Sequence, residues 1–138
     1  LAKRMEIAGY SEKNRGNLYV RKAVEFIQNN FSNPLRVTEI AGYVGINRSY
    51  LCTLFQQELQ MSPREYLSNY RITRAAELLM ITELSIEAVA FSCGYQDALV
   101  FAKNFRVKMG CAPSVYRKRN LASQKRELHE KLQQLKNL

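Results

Sequence analysis

The sequence has few of the residues from which metal sites, disulfide frameworks and nucleotide-binding loops are built. It contains one histidine, three cysteines and six glycines in 138 residues. The cysteines are odd in number, and they lack the close pairing with histidine that zinc sites use, which favours reduced thiols. Cys93 and Cys111 are expected to be buried, because apolar packing is the usual fate of a lone cysteine. We therefore expect no metal site and no cofactor.

Catalysis and membrane insertion also lack their usual signals. There is no glycine-rich phosphate loop, no second histidine and no cysteine beside a histidine, so no catalytic residue is expected. No apolar run approaches the roughly 20 residues that cross a bilayer, and the charged opening residues lack the apolar core of a signal peptide. His129 stands among lysines and glutamates and is expected to be exposed. These absences predict a cytoplasmic protein that is neither an enzyme nor a membrane protein.

The positive charge lies mainly at the two ends of the chain. The net charge is +9 at pH 7. Residues 1–17 carry four basic and two acidic side chains, residues 117–138 carry seven and two, and residues 18–116 carry ten and eight. Net charge of this size favours a polyanionic partner. Basic and acidic side chains nearly balance over residues 18–116, so the net charge of the whole chain says little about the partner of that segment.

Residues 62–82 are predicted to form one long helix. Ser62 is placed to cap the first turn, Pro63 suits the first helical position, and Glu65 completes a capping box. At about 100° per residue, the apolar side chains fall into two stripes on opposite sides of the axis. One stripe contains Tyr66, Leu67 and Tyr70, and the other contains Ile72, Ala75, Ala76 and Leu79. Such a helix would bridge two small bodies, although a helix buried in a single core fits the same pattern.

The chain before this helix contains a predicted helix-turn-helix. Residues 18–31 have apolar side chains at the spacing of an amphipathic helix. A short helix over residues 37–44 follows, Gly45 stands where a left-handed exit is needed, and Asn47 is placed to cap a helix over residues 48–59. The outer face of this last helix carries Ser49, Cys52, Thr53 and Gln56. In a helix-turn-helix the second helix offers such a face to the major groove of DNA.

The same arrangement recurs after the long helix. Ser85 is placed to cap a short helix, Gly94 to make the turn, and Asp97 to cap a helix over residues 98–109. Seven anchors of the first unit, Ile40, Ala41, Gly45, Leu51, Phe55, Pro63 and Tyr66, recur as Val89, Ala90, Gly94, Phe101, Phe105, Pro113 and Tyr116. The outer face of the second copy carries Leu99, Ala102, Lys103 and Arg106. Chance repetition of so many anchors at a nearly constant offset is improbable, which indicates a duplicated unit.

These features resemble the DNA-binding domain of the AraC/XylS family of bacterial transcription regulators. The resemblance covers roughly residues 18–119 and is most specific in RITRAAELL and SIEAVAFSCGYQDALVFAKNFRVKMGCAPSVYRKR. The matching positions are Arg71, Ala75, Leu78, Leu79, Ile86, Ala90, Gly94, Tyr95, Asp97, Phe101, Phe105, Lys108, Gly110, Pro113, Tyr116 and Arg117. The resemblance implies an all-α fold of two helix-turn-helix subdomains, residues 18–61 and 83–119, joined by a linker helix over residues 62–82. A C-terminal helical extension over residues 120–138 completes the expected fold.

The resemblance also implies sequence-specific binding to double-stranded DNA, with the two recognition helices in successive major grooves about 34 Å apart. The residues that it places near bases are Ser49, Cys52, Thr53 and Gln56 in one groove and Leu99, Ala102, Lys103 and Arg106 in the next. The expected phosphate contacts are Arg36, Asn47, Arg48, Gln96 and Lys108. For Lys103 and Arg106, phosphate contact or solvation is the alternative to base contact, because phosphates take at least half of protein–DNA hydrogen bonds.

The recognition helices depart from the family pattern at several positions. Cys52 and Thr53 stand where the family often has serine followed by arginine, so a weaker or water-mediated readout is expected in the first groove. In the second helix Ala98, Val100, Ala102 and Lys103 replace the usual serine, tyrosine, serine and arginine, which makes that surface more apolar. Arg36 occupies the place of a serine or threonine cap and could reach a phosphate or remain solvated. We therefore expect the target sequence to depart from the family consensus.

The partners implied by the resemblance are DNA, RNA polymerase and a second copy of the intact protein. Residues 1–17 would be the remnant of a linker to an effector-sensing domain outside this fragment, which begins with leucine rather than methionine. Leu121, Leu128, Leu132, Leu135 and Leu138 of the tail suit a short coiled-coil seam or a helix packed on the body or on a neighbouring chain. A helical protein-interaction module without base readout is the alternative function, and its binding would depend less on salt than DNA binding does.

Overall fold

The computed structural model describes the backbone of residues 2–137 and the side chains of residues 14–137. Over these residues it contains α-helices and no strand. The helices are α1 (Ala2–Asn30), α2 (Val37–Val44), α3 (Arg48–Leu59), α4 (Pro63–Ile81), α5 (Ile86–Ser92), α6 (Ala98–Met109) and α7 (Pro113–Lys136). The chain divides into two compact units, Leu1–Tyr70 and Arg71–Leu138, and the division falls inside α4. The predicted all-α class is confirmed.

Helix α1 begins at Ala2, far before the predicted start at residue 18. Gly16 lies inside this helix, and a Cβ added there would stand 3.2 Å from Cδ2 of Leu54. Glycine at this position therefore lets α1 pass close to α3. The predicted start of this helix at residue 18 was wrong, because a polar, charged composition does not by itself end a helix. The role of residues 1–17 as a linker remnant stays a prediction, and the side chains of residues 1–13 lie outside the described part.

The core of the first unit is formed by α1, α2, α3 and the start of α4. Its fully buried members include Ala23, Ile27, Ile40, Leu51 and Phe55. Val20 is buried in this cluster whereas Leu18 is exposed, although Leu18 was the residue expected to begin the apolar face. The helical pattern from Val20 onward therefore positions α1 as the support against which α2 and α3 pack.

Helix α4 has the two apolar stripes that the sequence predicted. The Oγ of Ser62 accepts a hydrogen bond from the backbone N–H of Glu65 at 3.1 Å, so the N-terminal cap is present. In the first unit, Leu67 joins the core and the Tyr66 ring meets the Phe55 ring edge-on, with centroids 6.1 Å apart. The residues of the second stripe are also buried: Ile72, Ala75, Ala76 and Leu79. Each half of α4 thus contributes apolar side chains to its own unit.

An aromatic cluster organises the second unit. Phe105 lies between Phe101 and Tyr116, with ring centroids 5.7 Å and 5.4 Å away, and Tyr95 adds a fourth ring beside Phe101 at 5.2 Å. Phe101 and Phe105 are fully buried. The rings lie at the tilted or edge-on angles that aromatic pairs prefer. This cluster holds α6 in place from its inner side.

Arg117 ties the start of α7 to the end of α4. Its Nε donates to the carbonyl oxygen of Leu79 at 3.0 Å, and an Nη donates to that of Thr82 at 3.3 Å. These carbonyls are among those that a helix leaves without intrahelical partners at its C-terminus, so a cation is favourable there. The contact therefore anchors the first turns of α7 within the second unit.

Helix α7 continues without a break into the predicted C-terminal extension. The helix extends from Pro113 to Lys136, and every residue over 121–137 is exposed. His129 is exposed, as the sequence predicted. The expectation that the tail packs on the body of the domain is wrong, because the continuous α7 leaves Leu121, Leu128, Leu132 and Leu135 in solvent. Leu138 lies outside the described residues. The alternative, packing on a neighbouring chain, stays a prediction.

The three cysteines are free thiols in different environments. Cys93 is fully buried, as predicted, whereas Cys111 is only half-buried because it follows the turn at Gly110 rather than lying inside a helix. Cys52 is half-exposed on α3. No helix over the described residues is long and apolar enough to cross a membrane.

Candidate nucleic-acid interface

Helix α3 presents the first set of predicted base-reading residues. Gly45 ends α2 with a φ of 87°, in the left-handed region that favours glycine. The Oδ1 of Asn47 then accepts from the backbone N–H of Tyr50 at 2.8 Å and caps α3. On the inner side Leu51, Leu54 and Phe55 are buried. The opposite face carries Ser49, Thr53 and Gln56, which are exposed, and Cys52, which is half-exposed.

A local hydrogen bond limits what Thr53 can offer to DNA. Its Oγ1 donates to the carbonyl oxygen of Ser49 at 3.0 Å, one turn earlier in α3. The hydroxyl hydrogen is therefore used inside the helix, which leaves the methyl group and the oxygen lone pairs. Thr53 is thus suited to touch a thymine methyl group or to accept a hydrogen bond.

Helix α6 presents the second set, and these residues line one shallow groove. The Oδ1 of Asp97 accepts from the backbone N–H of Leu99 at 2.8 Å and caps the helix. The buried rings of Phe101 and Phe105 fix the inner side. All four predicted residues line the groove, together with two others: Leu99, Ala102, Lys103 and Arg106, with Val100 and Ala112. The sequence contains no acidic residue over 98–109, so the local charge on α6 is positive.

The first unit has a basic pocket that the sequence only partly revealed. Its lining includes three arginines, Arg36, Arg48 and Arg64, from the loop before α2, the start of α3 and the start of α4. None of them forms an ion pair with a carboxylate within residues 14–137. Arg36 is the N-cap of α2 and makes no side-chain cap bond. Arg36 and Arg48 were predicted phosphate contacts, whereas Arg64 joins them through the packing of α4, which local sequence does not show.

The remaining predicted phosphate contacts do not lie in this pocket's lining. The Asn47 oxygen is occupied by the cap of α3, which leaves its amide N–H groups as donors. Gln96 is exposed immediately before the cap of α6. Lys108 is exposed as well, but at about 100° per residue it lies on the side of α6 opposite Arg106. The structure therefore separates Lys108 from the groove-lining residues of its own helix.

Two groups of the second unit with shifted pKa values lie outside the groove-lining face of α6. The Arg71 guanidinium stands over the Tyr95 ring, 5.8 Å from its centroid, and burial lowers the pKa of Arg71. Burial also raises the pKa of the Cys93 thiol to about 11, against the opposing effect of Arg74 and Arg71. Both groups belong to the packing of the second unit, because neither lies on the exposed face of α6.

Comparison with known proteins agrees with this geometry. A family model described as a helix-turn-helix domain matches residues 40–119, which include both recognition helices. A crystallised transcriptional regulator of the AraC-type DNA-binding class from Chromobacterium violaceum is 31% identical, covers 75% of this chain and 93% of its own, and has a TM-score of 0.71. The chain belongs to the AraC/XylS family. Its α3 and α6 are therefore the second helices of the two helix-turn-helix units of an AraC/XylS DNA-binding domain.

Two further relatives of this AraC/XylS domain are informative. The lactose operon transcription activator of Staphylococcus xylosus is 38% identical over 98 residues, which cover 71% of this chain and 35% of that protein. The C-terminal domain of AraT, a response regulator from Geobacillus stearothermophilus, is 36% identical with a TM-score of 0.71 and covers 72% of this chain and 84% of that one. The chain thus spans about a third of the length of the curated relatives it matches. DNA binding in transcription regulation, the first of the two expected functions, is confirmed.

Proposed function

We propose that this domain reads a specific double-stranded sequence by placing α3 and α6 in successive major grooves. The observation that carries the proposal is the construction of the two helices. Each has a side-chain cap at its N-terminus, a buried inner face, and an opposite face on which the predicted reading residues reach the surface. A major groove admits one such helix, and grooves on one side of the duplex recur about every 34 Å.

The chemistry of the reading residues predicts which bases they contact. Arg106 and Lys103 are exposed on α6 and suit guanine, whose O6 and N7 accept hydrogen bonds. Leu99, which is 80% exposed, and Ala102 suit a thymine methyl group. Gln56 suits adenine in the other groove. The α6 half-site is therefore expected to be the more strongly specified of the two.

The α3 half-site is expected to be read more weakly. Ser49, Cys52 and Thr53 are short side chains, and the Thr53 hydroxyl hydrogen is already donated to Ser49. Short side chains reach base edges through water or through close van der Waals contact rather than through paired hydrogen bonds. Gln56 is the one predicted residue on this face with an amide able to pair with a base edge. The α3 half-site of the DNA should therefore tolerate more base-pair substitutions than the α6 half-site.

The arginine pocket of the first unit is proposed to hold a DNA phosphate. Arg36, Arg48 and Arg64 provide guanidinium groups around one concave surface, and guanidinium forks match phosphate oxygens. Such contacts fix the position of a protein on the duplex without reading its sequence. We add Arg64 to the phosphate contacts expected from the sequence.

The intact protein is proposed to contain more than this domain. RNA polymerase, an effector-sensing domain and a second copy of the protein are the partners implied by the family. The support is that the curated relatives are about three times as long as the matched segment. Their remaining length leaves room for a sensing and dimerising part.

Selection of bound duplexes from a random pool tests the proposed readout. The 138-residue chain should enrich two half-sites centred about 10–10.5 base pairs apart. Arg106→Ala should weaken binding to the selected site by about 1–3 kcal/mol and relax the preference at one position in the α6 half-site. Failure of the wild type to enrich any sequence would refute base-specific reading by this domain.

A comparison of charge variants separates reading from positioning. Arg64→Ala should weaken binding to selected and unrelated duplexes alike and reduce the slope of log K against log salt by about 1. Lys125→Ala removes the same charge from the exposed part of α7, outside the family match, and serves as the control. Equal losses for Arg64→Ala and Lys125→Ala would mean that the arginine pocket holds no phosphate.

A further inference from the structure

Among the residues whose side chains the structure describes, none packs on the end of α7. Residues 121–137, here called the tail, are all exposed and extend over roughly 25 Å at about 1.5 Å per residue. The family match ends at residue 119, so the tail lies outside the matched DNA-binding architecture. The tail is nevertheless continuous with a helix whose first turns are anchored by the Arg117 hydrogen bonds to the end of α4. Nucleation, the costly step for a short isolated helix, is therefore provided by the domain.

Four leucines of the tail form one stripe. At about 100° per residue, these side chains fall within roughly 40° of a single line along the helix. They are Leu121, Leu128, Leu132 and Leu135, here called the leucine stripe, and their exposures range from 44% to 65%. Such spacing is that of the a and d positions through which one amphipathic helix packs on another. An aligned apolar stripe on a polar helix is a common mark of an interaction surface.

The charged side chains of α7 are sorted around the leucine stripe. Those on or beside it are all basic: Lys118 and Lys125 take a positions in the register of these leucines, and Lys131 and Lys136 flank it. The opposite side is balanced, with Arg119, Arg126, Glu127 and Glu130. Helix α7 thus has an apolar side with positive net charge and an opposite side with almost no net charge. A partner surface that is apolar at its centre and acidic at its edges would complement this face.

A second copy of this chain packed in parallel fits the leucine stripe poorly. If Leu128 and Leu135 take d positions and Leu132 an a position, Lys131 and Lys136 become the flanking g and e residues. In a parallel pair Lys131 of one copy faces Lys136 of the other on both sides of the seam. This arrangement places like charges together, which opposes parallel self-association.

We propose that the leucine stripe of α7 is a docking surface for a helix of another protein, whose own apolar stripe is flanked by glutamate or aspartate. The leucines provide the buried contact, and Lys131 and Lys136 select the partner by charge. The proposal does not depend on how the domain reads DNA, because it uses residues outside the family match.

Two labelled synthetic peptides test the proposal against the 138-residue chain. Both are helical peptides of three heptads with leucine at a and d, and they differ only in having glutamate or lysine at e and g. Fluorescence anisotropy should show the chain binding the glutamate peptide at least about ten-fold more tightly than the lysine peptide. The doubly substituted Lys131→Glu/Lys136→Glu chain should reverse this preference.

Variants of the stripe separate docking from general charge attraction. Leu128→Ala/Leu132→Ala should lose binding to the glutamate peptide by at least about ten-fold, because the apolar contact is removed. Gln133→Ala/Gln134→Ala, on the opposite side, should bind as the wild type does. All these positions are exposed, so circular dichroism and the thermal midpoint of each variant should match the wild type.

Four results would overturn the proposal. The first is that neither peptide binds, and the second is that the leucine variant retains full affinity for the glutamate peptide. The third is a wild-type dimer in sedimentation that Leu128→Ala/Leu132→Ala dissociates, which would make a second copy the occupant. The fourth is binding of the wild type, but not of the leucine variant, to vesicles containing phosphatidylserine, which would make a lipid surface the occupant.

Discussion

Replacement of Phe105 by alanine should unfold the second unit far below the denaturant concentration that the wild type tolerates. Phe105 is fully buried between the rings of Phe101 and Tyr116, at 5.7 Å and 5.4 Å. Loss of its transfer free energy together with the cavity left behind should lower the free energy of unfolding by about 3–5 kcal/mol. That loss is large against the roughly 5–15 kcal/mol total of a typical domain.

Urea unfolding followed by circular dichroism measures this change. Val107→Ala is the matched control, since Val107 lies on the same helix but is 82% exposed, and it should change the free energy of unfolding by less than about 0.5 kcal/mol. Binding of the Phe105 variant to DNA should fall with the fraction of unfolded second unit. A loss below about 1 kcal/mol would refute the view that this aromatic cluster holds α6 in place.

Three further predictions concern single positions. Gly45→Ala should cost about 1–2 kcal/mol, measured by urea unfolding, because φ is +87° and no neighbouring atom lies near the added Cβ, so the strain is purely backbone. At pH 8 iodoacetamide should modify Cys52 readily and Cys93 hardly at all in the folded chain, because the pKa of about 11 leaves only about 0.1% of Cys93 as thiolate. Equal alkylation rates of the two cysteines, followed by mass spectrometry, would contradict the burial of Cys93. Arg117→Met should lower the thermal midpoint through the loss of two hydrogen bonds worth about 1–3 kcal/mol together, whereas an unchanged midpoint would show that α7 does not depend on them.

The parts of the fold that depend on local chemistry could be predicted from the sequence. The side chains of Asn47, Ser85 and Asp97 accept from backbone N–H groups two or three residues ahead, as their positions before apolar runs indicated. Gly45 adopts the left-handed conformation that the turn requires. Such signals act within one turn of helix, so a single sequence is enough to find them.

The parts that depend on packing over long sequence separations were missed or wrong. Gly16 belongs to a helix because it lies against Leu54, a contact that no local pattern shows. Arg64 joins Arg36 and Arg48 only when α2, α3 and α4 are packed together. The tail leucines predicted a packed helix, but α7 carries them into solvent, because spacing indicates an apolar face without showing what covers it.

The reading of two successive grooves can be tested most directly by changing their spacing. Affinity is measured for a duplex carrying both selected half-sites and for the same duplex with five base pairs inserted between them. Because α4 is one uninterrupted helix from Pro63 to Ile81, we expect the insertion to weaken binding by at least about ten-fold, as much as removing one half-site does. Unchanged affinity after the insertion would contradict simultaneous reading of both grooves.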